Sequence, residues 1–188
     1  MMLQLDIMTI LPELILFFGA MGLLIVGVFG LSDLSRPISW GSVFLLLVAA
    51  IVVLFQPAEA RFAFNGALLM NDFTALMKAL TFLAVAASLV LAHDFMHQEK
   101  IERFEYPVLV LLASCGMSIM ISANDLIAVY MGLELQSLAL YVVASINRDS
   151  VRSTAAGLKY FVLGALSSGM LLYGVSLIYG FSGTVNFQ

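Results

Sequence analysis

Leu126-Ile127-Ala128-Val129-Tyr130-Met131-Gly132-Leu133-Glu134-Leu135-Gln136-Ser137-Leu138-Ala139-Leu140-Tyr141-Val142-Val143-Ala144 carries a single formal charge, the carboxyl of Glu134. The rest is apolar or weakly polar, and the run reaches the roughly 17–25 residues that a helix needs to cross a bilayer. An acid at the bilayer centre is expensive, about 2.5 to 3.5 kcal/mol for Asp on insertion scales. Residues of this kind carry a proton or an ion, or rest against a group that does. Glu134 lies roughly 12–13 Å from the start of the segment at about 1.5 Å per residue, too deep for a short carboxylate to reach water. On a helical wheel of about 100° per residue, Tyr130, Ser137 and Tyr141 fall within roughly 60° of it. One face of the segment is therefore a polar stripe able to hold water. Desolvation favours the neutral acid and a nearby cation favours the carboxylate. A group held between the two suits proton uptake and release. The plainer alternative is a glutamic acid that stays protonated and serves only as an interhelical hydrogen-bond donor.

The remainder of the chain has the same character. Of its 188 residues 62% are hydrophobic and 11% charged, and mean hydropathy is +1.07. Soluble domains are about 45–50% apolar and about 25% charged, so the sequence describes an integral membrane protein. Six apolar runs are long enough to span: Ile10–Leu31, Ile38–Phe55, Phe73–Ala92, Tyr106–Ser122, Leu126–Ala144 and Thr154–Tyr179. Residues 1–188 thus read as a single transmembrane domain, an all-α polytopic bundle. The connectors hold the expected punctuation, such as Pro37, then Pro57, Asn65 and Gly66. The turn from Ser122 to Asp125 is so tight that its flanking helices should lie antiparallel and adjacent. Alternate connectors hold Arg36, then Lys100 and Arg103, then Arg148 and Arg152, whereas the opposite set holds only Arg61. The positive-inside rule then places both termini on the non-cytoplasmic side. Asp6 without a neighbouring Lys or Arg argues against a signal peptide at the N-terminus.

Net charge is −4 with no basic patch, so nucleic acid is not an expected partner. Cys115 stands alone, which excludes an intrachain disulfide or a Cys-ligated cluster, and it reads as a small buried hydrophobe. His93-Asp94-Phe95-Met96-His97 imitates a zinc helix with Asp in place of Glu, but it lacks a third ligand and lies in a charged connector. No phosphate loop, haem motif or flavin motif is visible, so neither a metal nor a redox cofactor is expected in this chain. Ser114, Ser118 and Ser122 line one face of their segment, and Gly164 and Ser168 line another, as close helix packing in lipid requires. Glu13, beside Pro12, reads as favouring a helix N-terminus, and Asn124 and Asp125 read as caps. Lys78 reads as pairing with Asp72 or reaching outward to water. Lys159 lies roughly 7–8 Å into the last segment. It can snorkel, or act with Glu134 as a coupled carboxylate–amine pair.

Two runs together resemble a known family. Asn124 through Ser137 is similar to the fifth transmembrane helix of the antiporter-like membrane subunits of proton-translocating NADH:quinone oxidoreductase, respiratory complex I. Asn147-Arg148-Asp149-Ser150 and Ala156-Gly157-Leu158-Lys159-Tyr160-Phe161 through Gly169 resemble the subunit-N branch of that family, as does Leu11-Pro12-Glu13-Leu14. The resemblance implies a proton-pumping translocase subunit. It would carry part of a proton pathway coupled to quinone reduction elsewhere. NADH, FMN, iron–sulfur clusters and quinone would be held by other subunits. Its partners would be other complex I membrane subunits, especially neighbouring antiporter-like ones, and the lipid bilayer. Glu134 takes the place of the family's essential proton-transfer glutamate, and a lysine at Lys159 is also found there. The implied location is a bacterial inner membrane with the N-terminus on the periplasmic side; a mitochondrial inner membrane is the alternative. Family members have fourteen helices in two inverted repeats, so six helices read as an N-terminal portion. The lysine usually paired with the fifth-helix glutamate would then lie beyond Gln188. The alternative function is a subunit of a multisubunit cation/proton antiporter, which shares the helix-five glutamate. A third reading is a purely structural scaffold.

Overall fold

The computed structural model describes residues 7–30, 34–56, 60–99 and 101–187. Among them, six long helices follow the six apolar runs: α1 (Leu11–Phe29), α2 (Ser35–Leu54), α3 (Asp72–Gln98), α4 (Glu105–Ser122), α5 (Leu126–Ala144) and α6 (Val151–Ser182). All six are long and apolar enough to cross a membrane. The chain is an all-α polytopic membrane protein, as the lengths of its apolar runs require: in hydrocarbon a helix is the one open structure that satisfies its own backbone.

The ends of the helices are set by local chemistry. Pro12 stands in the first turn of α1, where its missing N–H has no helical partner to lose. Asn71 and Thr74 form a reciprocal capping box at the start of α3, with both bonds at 2.8 Å. Asp125 caps α5 by accepting from the Ala128 N–H at 2.5 Å. Gly183 ends α6 with φ of 74°, a left-handed conformation that glycine adopts without strain. Helices α3 and α6 outrun their apolar stretches. Their 27 and 32 residues correspond to roughly 40 and 48 Å at 1.5 Å per residue, against a hydrocarbon core of about 30 Å. Loss of hydropathy marks where lipid ends, but the helical hydrogen-bond ladder continues into the polar zone.

Helix α4 is the hub: it packs against α1, α2, α3 and α5, while α6 packs on α5. The apolar core lies among the first four helices, centred on Leu16, Leu46, Phe82, Leu89 and Leu111. The tight turn from α4 to α5 brings these helices together closely enough for backbone contact. A Cβ built on Gly116 would lie 2.6 Å from the Gln136 nitrogen and the Gly132 carbonyl oxygen. A Cβ on Gly132 would lie 2.8 Å from the Gly116 carbonyl oxygen. Only glycine fits at either position.

The connector between α2 and α3, marked in the sequence by Asn65 and Gly66, holds a small antiparallel hairpin. Strands β1 (Arg61–Ala63) and β2 (Leu68–Met70) pair Arg61 with Met70 and Ala63 with Leu68. Its turn takes positive φ at Phe64, Asn65 and Gly66. The hairpin, the α4–α5 turn and the segment after α6 are stitched together at one end of the bundle. The Asn124 side-chain amide donates to the Gly66 carbonyl at 2.8 Å, and the Leu126 N–H to the Val185 carbonyl at 3.0 Å. Asn124 is therefore a tie to the hairpin and not a helix cap. At the opposite end Arg148 pairs with Glu105 at 3.0 Å and Arg103 with Asp149 at 3.6 Å. The two sets of connectors thus occupy opposite ends of the bundle; Lys100 lies outside the described residues.

Candidate functional site

The stripe on α5 faces α6. The Tyr130 hydroxyl lies 3.2 Å from Ser168 Oγ. Tyr141 is buried and packs edge-on against Tyr160 and Phe161, with ring centroids 4.8 and 5.8 Å away. Its ring rests on the bare backbone of Gly164, where a side chain would collide with it. Between these two tyrosines on the same face lie Glu134 and Ser137, both half-buried. Glu134 Oε1 is buried and accepts no hydrogen bond from the protein. A buried oxygen in that condition needs a proton, a cation or water to offset its lost hydration. The residues that the sequence grouped with Glu134 are therefore on one seam.

Lys159 is elsewhere. The face of α6 turned to α5 carries Gly157, Tyr160, Phe161, Gly164 and Ser168. Lys159 is about 140° around the helix from Gly164 at 100° per residue, and it is exposed. Glu134 and Lys159 form no ion pair. The structure does not bring together the two charges that consecutive helices suggested as a couple.

A different couple forms, between residues that the sequence reading assigned to separate tasks. Lys78 is neither paired with Asp72 nor turned to water. It is 1% exposed, and its Nζ lies 2.5 Å from Glu13 Oε1. Ser118 Oγ donates to the same oxygen at 2.6 Å. Glu13 Oε2 is buried and accepts no hydrogen bond from the protein. Cys115 is buried as expected, with its thiol 3.7 Å from the Glu13 carbonyl oxygen. The serine stripe on α4, expected to serve close packing, thus also supplies a hydrogen-bond donor. The only sequence signal for the pair was the burial of two opposite charges in apolar runs. Sixty-five positions separate them, so local pattern could not join them.

His93 and His97 share one side of α3, as their spacing requires. Both turn Nδ1 toward Glu102, at 3.9 and 3.2 Å. Among the described residues, no group of three His, Cys, Asp or Glu side chains is arranged to hold a metal.

Residues 123–188, which contain the whole α5–α6 seam, match the profile of the NADH:quinone oxidoreductase/Mrp antiporter transmembrane family. The chain is 55% identical over 178 residues to NADH-quinone oxidoreductase subunit N of Methylobacterium nodulans, covering 94% of this chain and 37% of that one. Over residues 123–188 the chain is similar to this antiporter-like transmembrane family. Its similarity to subunit N of Maricaulis maris is 51% identity across 99% of this chain and 39% of the relative. A solved structure of respiratory complex I from Thermus thermophilus with bound aureothin contains a similar chain. That match has 28% identity and a TM-score of 0.76, covering 93% of this chain and 38% of the other. An archaeal membrane-bound sulfane sulfur reductase shares the fold at 21% identity and a TM-score of 0.72. The chain spans under two-fifths of the length of the curated relatives described.

Proposed function

We propose that this chain forms part of a membrane-arm subunit of a proton-translocating NADH:quinone oxidoreductase, and that Glu134 carries a proton within it. The observation that carries this reading is the buried, unpartnered Oε1 of Glu134, on a seam flanked by Tyr130 and Tyr141. Relatives that cover nearly all of this chain are named as subunit N of that enzyme. Glu134 is the protonatable group on the α5 stripe; Tyr130, Ser137 and Tyr141 supply hydroxyls that can orient water along it. Lys159, on the open face of α6, is a second protonatable group, available to helices that pack there. Electron transfer belongs to other subunits, which hold NADH, FMN, iron–sulfur clusters and quinone. The protein contributes charge movement through its membrane helices. Its neighbours are other membrane-arm subunits, antiporter-like ones among them. The end bearing Arg36, Arg103, Arg148 and Arg152 faces the cytoplasm of a bacterial cell, so the N-terminus faces the periplasm.

The test uses the full-length subunit in cells. Affinity-tagged protein should co-purify with NADH dehydrogenase activity, and Glu134→Gln should weaken NADH-driven acidification in membrane vesicles. Purification free of that activity, with a sodium-dependent growth defect and intact respiration, would instead support a cation/proton antiporter. A silent Glu134→Gln would leave only a scaffold.

A further inference from the structure

Glu13, Lys78 and Ser118 come from three helices, and none of them belongs to the α5 seam. Their depths are informative. Lys78 is roughly 9 Å from the start of α3, and Ser118 is roughly 6 Å from the end of α4, at 1.5 Å per residue. Glu13 is in the first turn of α1. All three are measured from the bundle end that carries the hairpin, the end from which Glu134 is roughly 12 Å deep. The two acids therefore lie in neighbouring layers of the bundle. Helix α4 stands between them. Ser118 touches Glu13 on one side of α4, and Gly116 and Met120 touch Gly132 on the other, two residues from Glu134.

The site is also unevenly satisfied. Glu13 Oε1 accepts from both Lys78 and Ser118, while Oε2, equally enclosed, accepts from neither. A pair kept only to fasten three helices would gain from hydrogen bonds at both oxygens, because every buried lone pair left bare costs stability. A carboxylate with one anchored oxygen and one free oxygen is instead suited to receive a proton at the free one.

We propose that Glu13, Lys78 and Ser118 form a second intramembrane proton-exchange site, in which Glu13 Oε2 takes up and releases the proton and α4 links the site to Glu134. This rests on the reading of the chain as part of a proton pathway. Uptake of one proton makes Glu13 a neutral acid, raises the charge of the site by one and leaves the Lys78 ammonium without its counter-ion. Release restores the pair, and no other bond is made or broken. The alternation changes the field felt across α4 by Glu134, so proton occupancy at one acid biases the other.

The experiment uses the complete complex, reconstituted in vesicles, with three variants of the full-length subunit. The double variant Glu13→Gln/Lys78→Met removes both charges at similar volume and leaves no orphan charge. Ser118→Ala removes one donor from Oε1. Glu134→Gln serves as reference. The double variant should assemble and oxidise NADH like wild type but yield fewer protons per NADH, and Ser118→Ala should show a smaller loss of the same kind. Wild-type proton yield in the double variant would overturn the proposal. If the double variant fails to assemble, Ser118→Ala decides: a reduced yield supports the site and an unchanged yield overturns it. Loss with Glu134→Gln alone defeats only this inference, whereas no loss with any variant defeats the proton-pathway reading as well.

Discussion

Replacing Gly132 by alanine adds one methyl group at the contact between α4 and α5, and its consequence follows from the backbone geometry. The new Cβ would sit 2.8 Å from the Gly116 carbonyl oxygen, 2.9 Å from the Met120 nitrogen and 3.1 Å from the Met120 Cβ. The two nearest are backbone atoms, so no rotamer change relieves the clash. The helices must part by about half an ångström, and a gap of about 0.5–1 Å already forfeits a quarter to a half of each dispersion contact along the seam. Overpacking of this kind costs about 1–3 kcal/mol, or roughly 5- to 160-fold in the ratio of folded to unfolded protein. The check is the temperature at which the detergent-purified complex carrying the variant subunit loses its monodisperse elution profile. Gly22→Ala is the control, because its Cβ would meet nothing within 4 Å and alanine has the better helix propensity. Gly132→Ala should lower that temperature, and Gly22→Ala should leave it unchanged or raise it. Equal thermal stability of Gly132→Ala and wild type would refute the close-approach argument.

Other outcomes follow from the same contacts. Lys78→Met alone strands the Glu13 carboxylate in the bundle and should destabilise the subunit by about 3–5 kcal/mol. Adding Glu13→Gln should recover most of that loss in the same heating assay. If the double variant were no more stable than the single one, the charge pair would not be the cause. Tyr130→Phe removes the hydroxyl that meets Ser168 Oγ at 3.2 Å and should cost about 0.6 kcal/mol, the average for an interhelical hydrogen bond in a membrane. A double-mutant cycle with Ser168→Ala should return that coupling, and a coupling near zero would remove this bond from the account.

The bundle was legible because lipid imposes a simple rule. Any run of sufficient apolar length must become a helix, and the α1 to α6 sequence follows from counting such runs. The polar stripe on α5 was legible for the same reason: helical period alone places Tyr130, Glu134, Ser137 and Tyr141 on one face. The hairpin was not, since three-residue strands carry too little pattern to stand out from a connector. In retrospect Asn65-Gly66 is the turn signal that a hairpin needs. The partners of buried charges were hidden by a different limit. Depth along a helix can be read from sequence, but the direction a residue faces among neighbours cannot. Consecutive helices and the reach of a lysine stem make Lys159 a candidate partner of Glu134, although it points away from α5. Glu13 and Lys78, remote in sequence, were read as unrelated although they touch.

Proton transfer by Glu134 can be read from the number of protons moved per NADH oxidised. Sealed vesicles of assembled complex bearing Glu134→Gln should oxidise NADH yet translocate fewer protons per NADH than wild type, because the amide fills the same space without taking up a proton. A yield equal to wild type, at equal assembly, would contradict the account.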